Sequence, residues 1–205
     1  MNHPPVLGIR DEVALLKRER TIDAAVELFY ERGYENTSLD AVAERMGVTK
    51  PFIYAHFTSK AELLAEICSR GIASALAALD GVLDMAGTPT ELLAEVARHF
   101  VTAVLTNQSH IAIFTREIKN LLPVDLRRIH DMRREFDRKL TKLLDHGVAT
   151  GEFHLRDTRV AALAIGGMVS WAYVWYRPGG RLTLDDASRE LAALILALAG
   201  AGGVR

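Results

Sequence analysis

Between residues 45 and 60 the chain reads RMGVTKPFIYAHFTSK, a stretch rich in side chains that donate hydrogen bonds to anionic oxygens. Thr49, Lys50, Tyr54, His56 and Lys60 carry such donors, with Pro51 and Ala55 among them. The stretch holds three basic residues (Arg45, Lys50, Lys60) and no acid. On one exposed helix face, donors of this kind can meet phosphate oxygens and base edges in a DNA major groove. A plainer structural reading stands beside each: Thr49 as a helix cap, Tyr54 and His56 as packing, Lys60 as a solvated lysine. The wider unit, residues 1–60, is not basic, with eight Lys and Arg against nine Asp and Glu. Nonspecific DNA affinity is therefore expected to be modest and to fall steeply with salt.

Other chemistries find little support. No P-loop, strand-linked G-x-G-x-x-G, H-E-x-x-H or G-x-S-x-G motif is present, and no glutamate heads a Glu-x-x-His pair. Glu95 and His99 form a lone i, i+4 pair without further ligands, so neither a metal nor a cofactor is expected, and catalysis is not expected. The one cysteine, Cys68, excludes an internal disulfide and leaves a redox-sensing thiol as an alternative.

These residues need a scaffold, and the composition supplies one. The chain has 205 residues, 49% of them hydrophobic, and 25 basic against 26 acidic residues. That is enough apolar material for one or two packed domains, and it rules out a polycation that holds nucleic acid by total charge. The opening MNHPPVLGIRDE lacks the apolar run of a secretory leader, so a cytoplasmic location is expected. Val160–Tyr176 is free of formal charge for 17 residues and Leu191–Val204 for 14. Both fall short of the roughly 20 apolar residues of a membrane span, and buried helices are the expectation.

Strand-type alternation is not sustained anywhere, and the pattern predicts an all-α protein of about nine helices. They are expected near 11–32, 38–46, 50–57, 60–84, 89–106, 109–121, 124–149, 157–177 and 184–199. Thr37-x-x-Asp40, Ser59-x-x-Glu62, Thr88-x-x-Glu91 and Thr183-x-x-Asp186 read as capping boxes at helix starts. Ile22, Ala25, Val26 and Phe29 form an i, i+3, i+4, i+7 stripe, and Leu39, Val42, Ala43 and Met46 repeat it. Gly47 ends the second helix, and Ala43 before it lets the third cross closely, as in a helix-turn-helix. The expected domains are a helix-turn-helix DNA-binding unit at 1–60 and a longer, more apolar helical unit at 61–205, whose ligand-binding and dimerisation roles are implied only by the family resemblance that follows.

From Arg20 to Leu64 the run RTIDAAVELFYERGYENTSLDAVAERMGVTKPFIYAHFTSKAELL resembles the N-terminal domain of the TetR/AcrR family of bacterial transcriptional regulators. The resemblance rests on the AAxxLFxExGY stretch, the TS before helix 2, the AxxMGVTKPxIYxHF core and SKxEL. It implies a homodimeric repressor that docks two such units on a palindromic double-stranded operator and is released by a small-molecule effector. Carried over by position, Thr49, Lys50, Pro51, Tyr54 and His56 would meet DNA from the recognition helix. Lys60 would contact phosphate from the start of helix 4, and Thr37 and Ser38 from the start of helix 2. Phe52 stands where several relatives carry a small or polar residue, so its role as packing or as a thymine-methyl contact stays open.

In the second unit the resemblance implies a ligand cavity among helices 5 to 8 and a dimer interface built from helices 8 and 9. Periodicity offers Phe100, Phe114, Met132, Phe136, Met168, Trp171 and Trp175 as cavity residues, with Arg116 as a polar one. Gly167 on helix 8 and Leu191, Leu194, Ile195 and Leu198 on helix 9 are the expected dimer contacts. Residues 125–142 hold seven basic and four acidic residues; Arg127, Arg134, Arg138 and Lys142 share roughly one helical face. This reads either as a solvated face with intrahelical ion pairs or as a rim for an anionic effector. The segments GEFHLRD and WYRPGGRL also resemble a subgroup answering to fatty or steroid-derived acyl-CoA thioesters. The alternative is an efflux regulator answering to drugs or aromatic compounds.

Overall fold

The computed structural model describes residues 8–201. Most of the opening segment read above for a leader, and the glycine-rich tail after Ala201, lie outside the described residues. Nine α-helices follow in order: α1 (Ile9–Arg32), α2 (Leu39–Met46), α3 (Lys50–Tyr54), α4 (Lys60–Leu83), α5 (Pro89–Thr106), α6 (Gln108–Glu117), α7 (Pro123–Ala149), α8 (Thr158–Trp175) and α9 (Leu184–Ala199). A 3₁₀ turn at Ile118–Asn120 joins α6 to the next loop. Among the described residues there is no strand, and no helix is long and apolar enough to cross a membrane.

Helix starts follow local chemistry. Thr88 and Thr183 form full capping boxes with Glu91 and Asp186, and Pro89 occupies a first-turn position whose N–H has no helical partner. Ser59 accepts from the Glu62 N–H, but the Glu62 carboxylate turns to the Thr58 N–H and hydroxyl. The box expected at Thr37 is displaced by one residue: Ser38 caps α2, accepting from the Ala41 N–H at 3.1 Å. Gly47 ends α2 with φ +66°, a left-handed conformation that costs glycine little, and α3 turns back across it. The third helix is shorter than expected; beyond Tyr54 the chain bends to bury Phe57.

The apolar stripes build two cores. Ile22, Phe29, Val42, Ile53 and Phe57 pack with Leu63, Leu64 and Ile67 of α4, and also with Ile113 and Phe114 of α6 and Ile129 of α7. The core of the N-terminal unit thus continues past residue 60. A second core lies among α4, α5, α7, α8 and α9, with Leu93, Val101, Leu140, Leu144, Ile165 and Ile195 at its centre. Ile72 of α4 touches both cores. Each fully buried Leu, Ile or Phe contributes about 1.5–3 kcal/mol relative to exposure. At Gly147 a Cβ would lie 2.0 Å from the buried Phe153 ring, so only glycine fits where the α7–α8 loop folds back.

Candidate nucleic-acid interface and ligand cavity

α2 and α3 present one exposed face. Thr49, Lys50, Pro51 and Tyr54 lie on it, and Tyr54 is about half exposed, at 52%. Thr49 stands at the N-cap of α3 yet makes no capping hydrogen bond, which leaves its hydroxyl free for an outside partner. Ser38 is exposed beside them; its oxygen already accepts from Ala41, and its O–H remains a donor. His56 is half-buried on the turn after α3, its ring edge-on to Phe52. Phe52 packs half-buried against the N-terminal core, with the Lys17 ammonium 5.5 Å from its ring centre. Packing therefore accounts for Phe52, and Lys17 adds a cation at the edge of the face that its distance along the chain had concealed.

Thr37 lies buried at the base of a depression on this face, beside Ser38, Tyr54 and Lys60. Only 2% exposed, its hydroxyl donates to the Gly33 carbonyl at 2.9 Å and lies 3.4 Å from that of Leu28. Its role is to tie off the end of α1, because a buried hydroxyl must be satisfied internally. The three cations counted for residues 45–60 are also largely engaged. Arg45 bridges Glu27 and Glu31 of α1, each at 2.9 Å. Lys50 reaches Asp40 at 2.5 Å, and that hydrogen bond holds its pKa above the usual lysine value. Lys60 donates to the Tyr34 carbonyl at 2.8 Å and lies over the Tyr34 ring. Local positive charge is thus well below the +3 counted along the chain.

Side chains also lock this unit to the helices behind it. Arg18 donates to the His56 carbonyl at 2.8 Å and stacks on Phe57. Arg70 of α4 binds Glu19 of α1 through both guanidinium nitrogens, at 2.6 and 2.7 Å, and this hydrogen bonding lowers the Glu19 pKa. Glu117 of α6 is buried and accepts from the Tyr34 N–H and from Asn120.

In the second unit a cavity of about 260 Å³ opens among α4, α5, α6, α7 and α8. Phe100, Val104, Ile111 and Phe136 supply apolar wall, and Gly166 and Gly167 leave space along α8. Arg133, Asp137 and Ser170 are its polar members. Asp137 and Leu163 also line an adjoining groove between α7 and α8, with Arg138, Lys142 and Arg159. Arg138 pairs with Glu135, whereas neither Lys142 nor Arg159 takes part in an ion pair among the described residues.

Residues 22–67 match the family of bacterial regulatory proteins, tetR family, and residues 86–199 match the tetracyclin repressor-like C-terminal domain. The chain belongs to the TetR family. It is 27% identical over 183 residues to the transcriptional repressor KstR2 of Rhodococcus jostii, covering 88% of this chain and 89% of that one. The TetR-family regulator PfmR of Thermus thermophilus superposes with a TM-score of 0.79 at 30% identity, over 87% of this chain and 97% of its own. The structure of AibR in complex with isovaleryl coenzyme A and operator DNA gives a TM-score of 0.73 at 27% identity, over 89% and 98%. This TetR-family protein is accordingly a helix-turn-helix transcriptional regulator, and its curated relatives are named as regulators, not enzymes.

Several residues of this TetR-family chain lie elsewhere than periodicity suggested. Of the eight proposed for the cavity, Phe100 and Phe136 line it. Phe114 is buried in the N-terminal core beneath the Arg133 guanidinium, and Met132 packs against that same core. Arg116 is exposed, donates to the Tyr30 carbonyl and stacks on that ring. Met168 packs against the second core. Trp171 and Trp175 point outward, 62% and 43% exposed, because Ala161, Ala162, Ile165, Val169 and Ala172 take the inner face of α8. On α9, Leu191 and Ile195 are buried in the chain's own core, while Leu194 and Leu198 remain outside. The inner face of α9 is widened by Ala187, Ser188, Ala192 and Ala199, which shifts its centre away from Leu194. Gly167, expected at the dimer contact, is an exposed member of the cavity wall. Cys68 is buried and its thiol pushed up to about 12 by desolvation, which removes the thiolate that a redox sensor needs.

Proposed function

We propose that this regulator is a repressor that binds a palindromic operator as a homodimer and releases it on binding an acyl-CoA thioester. One observation carries the effector assignment: the apolar cavity shares two wall residues, Asp137 and Leu163, with a groove lined by Arg138, Lys142 and Arg159. An acyl chain in the first and phosphates against the second would satisfy both halves of such a ligand. AibR, a structural neighbour, has been solved with isovaleryl coenzyme A. The α7 charges divide between the two readings given for them: Arg134 and Arg138 pair within the helix, to Asp131 and Glu135, while Arg138 and Lys142 line the groove.

The homodimer would form through the outer faces of α8 and α9. Val160, Trp171 and Trp175 on α8 are exposed apolar residues, as are Leu194 and Leu198 on α9, and exposed apolar surface of this kind marks an interface. In the dimer the two α3 helices would enter successive major grooves about 34–36 Å apart. The effector would act by binding more tightly to a conformer in which that spacing no longer fits.

A thermal-shift screen against CoA thioesters, free fatty acids, aromatic acids and cationic drugs tests the effector class. A ligand specific for the folded state adds about 2.7 kcal/mol at 100 times its dissociation constant. Stabilisation by thioesters is the expected result. Stabilisation by cationic drugs alone would overturn it in favour of an efflux regulator.

A further inference from the structure

Arg133 and Asp137 stand four residues apart on α7, the spacing of a helical ion pair, and both line the cavity. They form no ion pair. Arg133 lies over the Phe114 ring, 4.7 Å from its centre, and neither its guanidinium nor the Asp137 carboxylate has a hydrogen-bond partner among the described residues. Asp137 faces the backbone of Gly166 across α8, where a Cβ would come no closer than 4.0 Å to its oxygen. It belongs to the walls of both cavity and groove, so whatever spans the two must pass it.

We infer that Arg133 and Asp137 form a neck that reads a neutral linker carrying both a carbonyl and an N–H or O–H, and that Asp137 excludes ligands ending in a free carboxylate. The inference rests on the proposed acyl-CoA reading and deepens it. An acyl thioester reaching from the cavity to the cationic groove lays its carbonyl and its amide-bearing arm across the neck. Arg133 can donate to the carbonyl and Asp137 can accept from the N–H. A free fatty acid ends at the neck instead, where Asp137 offsets the attraction of Arg133 and the acid does not reach the groove cations that the phosphates of a thioester meet.

Burial supports this account. It raises the Asp137 pKa, with Arg133 opposing the shift, and it lowers that of Arg133, with Asp137 opposing. Desolvation outweighs their mutual attraction at both groups, while Arg133 keeps an exposed side, so a ligand group can reach each of them. A cationic ligand would also find Asp137, but the cavity and groove together carry four basic residues (Arg133, Arg138, Lys142, Arg159) against Asp137 and Asp145, which disfavours it.

The test compares butyryl- and octanoyl-CoA with butyrate and octanoate, and includes octylamine, by calorimetry on the full-length protein and its Asp137→Asn and Asp137→Leu variants. Wild type is expected to bind the thioesters and reject the free acids. Asp137→Asn keeps an acceptor oxygen but drops the charge, so thioester affinity stays within about threefold while free-acid affinity rises about tenfold. Asp137→Leu loses the acceptor, and thioester binding weakens by about tenfold. The ligand-free Asp137→Asn protein is expected to melt no lower than wild type, which separates the effect from misfolding. If Asp137→Asn leaves the thioester-to-acid preference unchanged in a wild type that does bind thioesters, the neck is refuted and the effector reading stands. Octylamine binding that depends on Asp137 would refute the neck by making it a cation site. Binding of neither thioesters nor acids to wild type would refute the effector reading, and the neck with it.

Discussion

Asp40 already neutralises Lys50 and competes with any phosphate for its ammonium, and that competition can be measured. Its ammonium lies 2.5 Å from the Asp40 carboxylate on an exposed face, so a phosphate contact has to draw it from a partner already at hydrogen-bond distance. Asp40→Asn removes the competing carboxylate and one negative charge from the docking face. Each phosphate neutralised steepens the dependence of log K on log salt by about 0.9. A freed lysine on each of two protomers should therefore steepen the slope by about 1.8. Per protomer this corresponds to about a threefold larger loss of affinity between 50 and 200 mM salt. Fluorescence anisotropy on a mixed-sequence duplex suffices, because phosphate contacts do not require the operator. The variant should bind more tightly at low salt and lose the advantage as salt rises. Asp40 also lies in the first turn of α2, where an acid favours the helix, so a slightly lower melting temperature is expected. Unchanged slope and affinity in a folded Asp40→Asn protein would show that Lys50 reaches no phosphate.

Three further outcomes follow from the same coordinates. Thr37→Val should cost about 1–2 kcal/mol in urea unfolding, since the carbonyls of Gly33 and Leu28 lose their donor, yet leave DNA affinity of the folded protein unchanged; a selective loss of DNA binding would return Thr37 to the interface. Cys68 keeps its proton in the folded state up to about pH 12, whereas in the unfolded chain it ionises near 9.0. The folded state binds the extra proton in that window, so stability should fall as pH rises from 9 toward 12, by about 1.4 kcal/mol per pH unit from this group; Cys68→Ala should lack that component in alkaline unfolding curves. Trp171→Glu and Leu194→Glu should each shift sedimentation from dimer to monomer with the helical circular dichroism retained, and a persistent dimer would place the interface elsewhere.

What could be read along the chain and what could not divide on a physical line. Helix ends were legible because their causes are local: Thr88 with Pro89 and Glu91, Thr183 with Asp186, and Gly47 each act within a few residues. The exposed face of α2 and α3 was legible for the same reason. Its charge was not, because the carboxylates that engage Arg45 belong to Glu27 and Glu31, a helix away, and the one on Lys50 belongs to Asp40 across the turn. Periodicity failed most on α8, which is apolar on more than one side: Trp171 and Val169 fit the same hydrophobic reading, yet one faces solvent and the other the core. Only the positions of α5 and α7 decide which side turns inward.

Arg133 and Asp137 show the limit most sharply. As letters they are an i, i+4 pair on a charged helix, with Arg first, beside the i, i+3 pair of Glu135 and Arg138, which do bond to each other. What separates the pairs is the environment at their tips. Glu135 and Arg138 meet at the rim, where each serves as the other's nearest partner. By contrast, Phe114 holds the Arg133 guanidinium and Gly166 leaves open space before Asp137, so these two groups stay apart and both line the cavity. A charged pair that declines its obvious bond is poised for a third group. In a protein that has to tell one small molecule from many, such a pair does more to set selectivity than the apolar wall, because a methylene gained or lost in a hydrophobic pocket discriminates less than a buried polar group left without its partner.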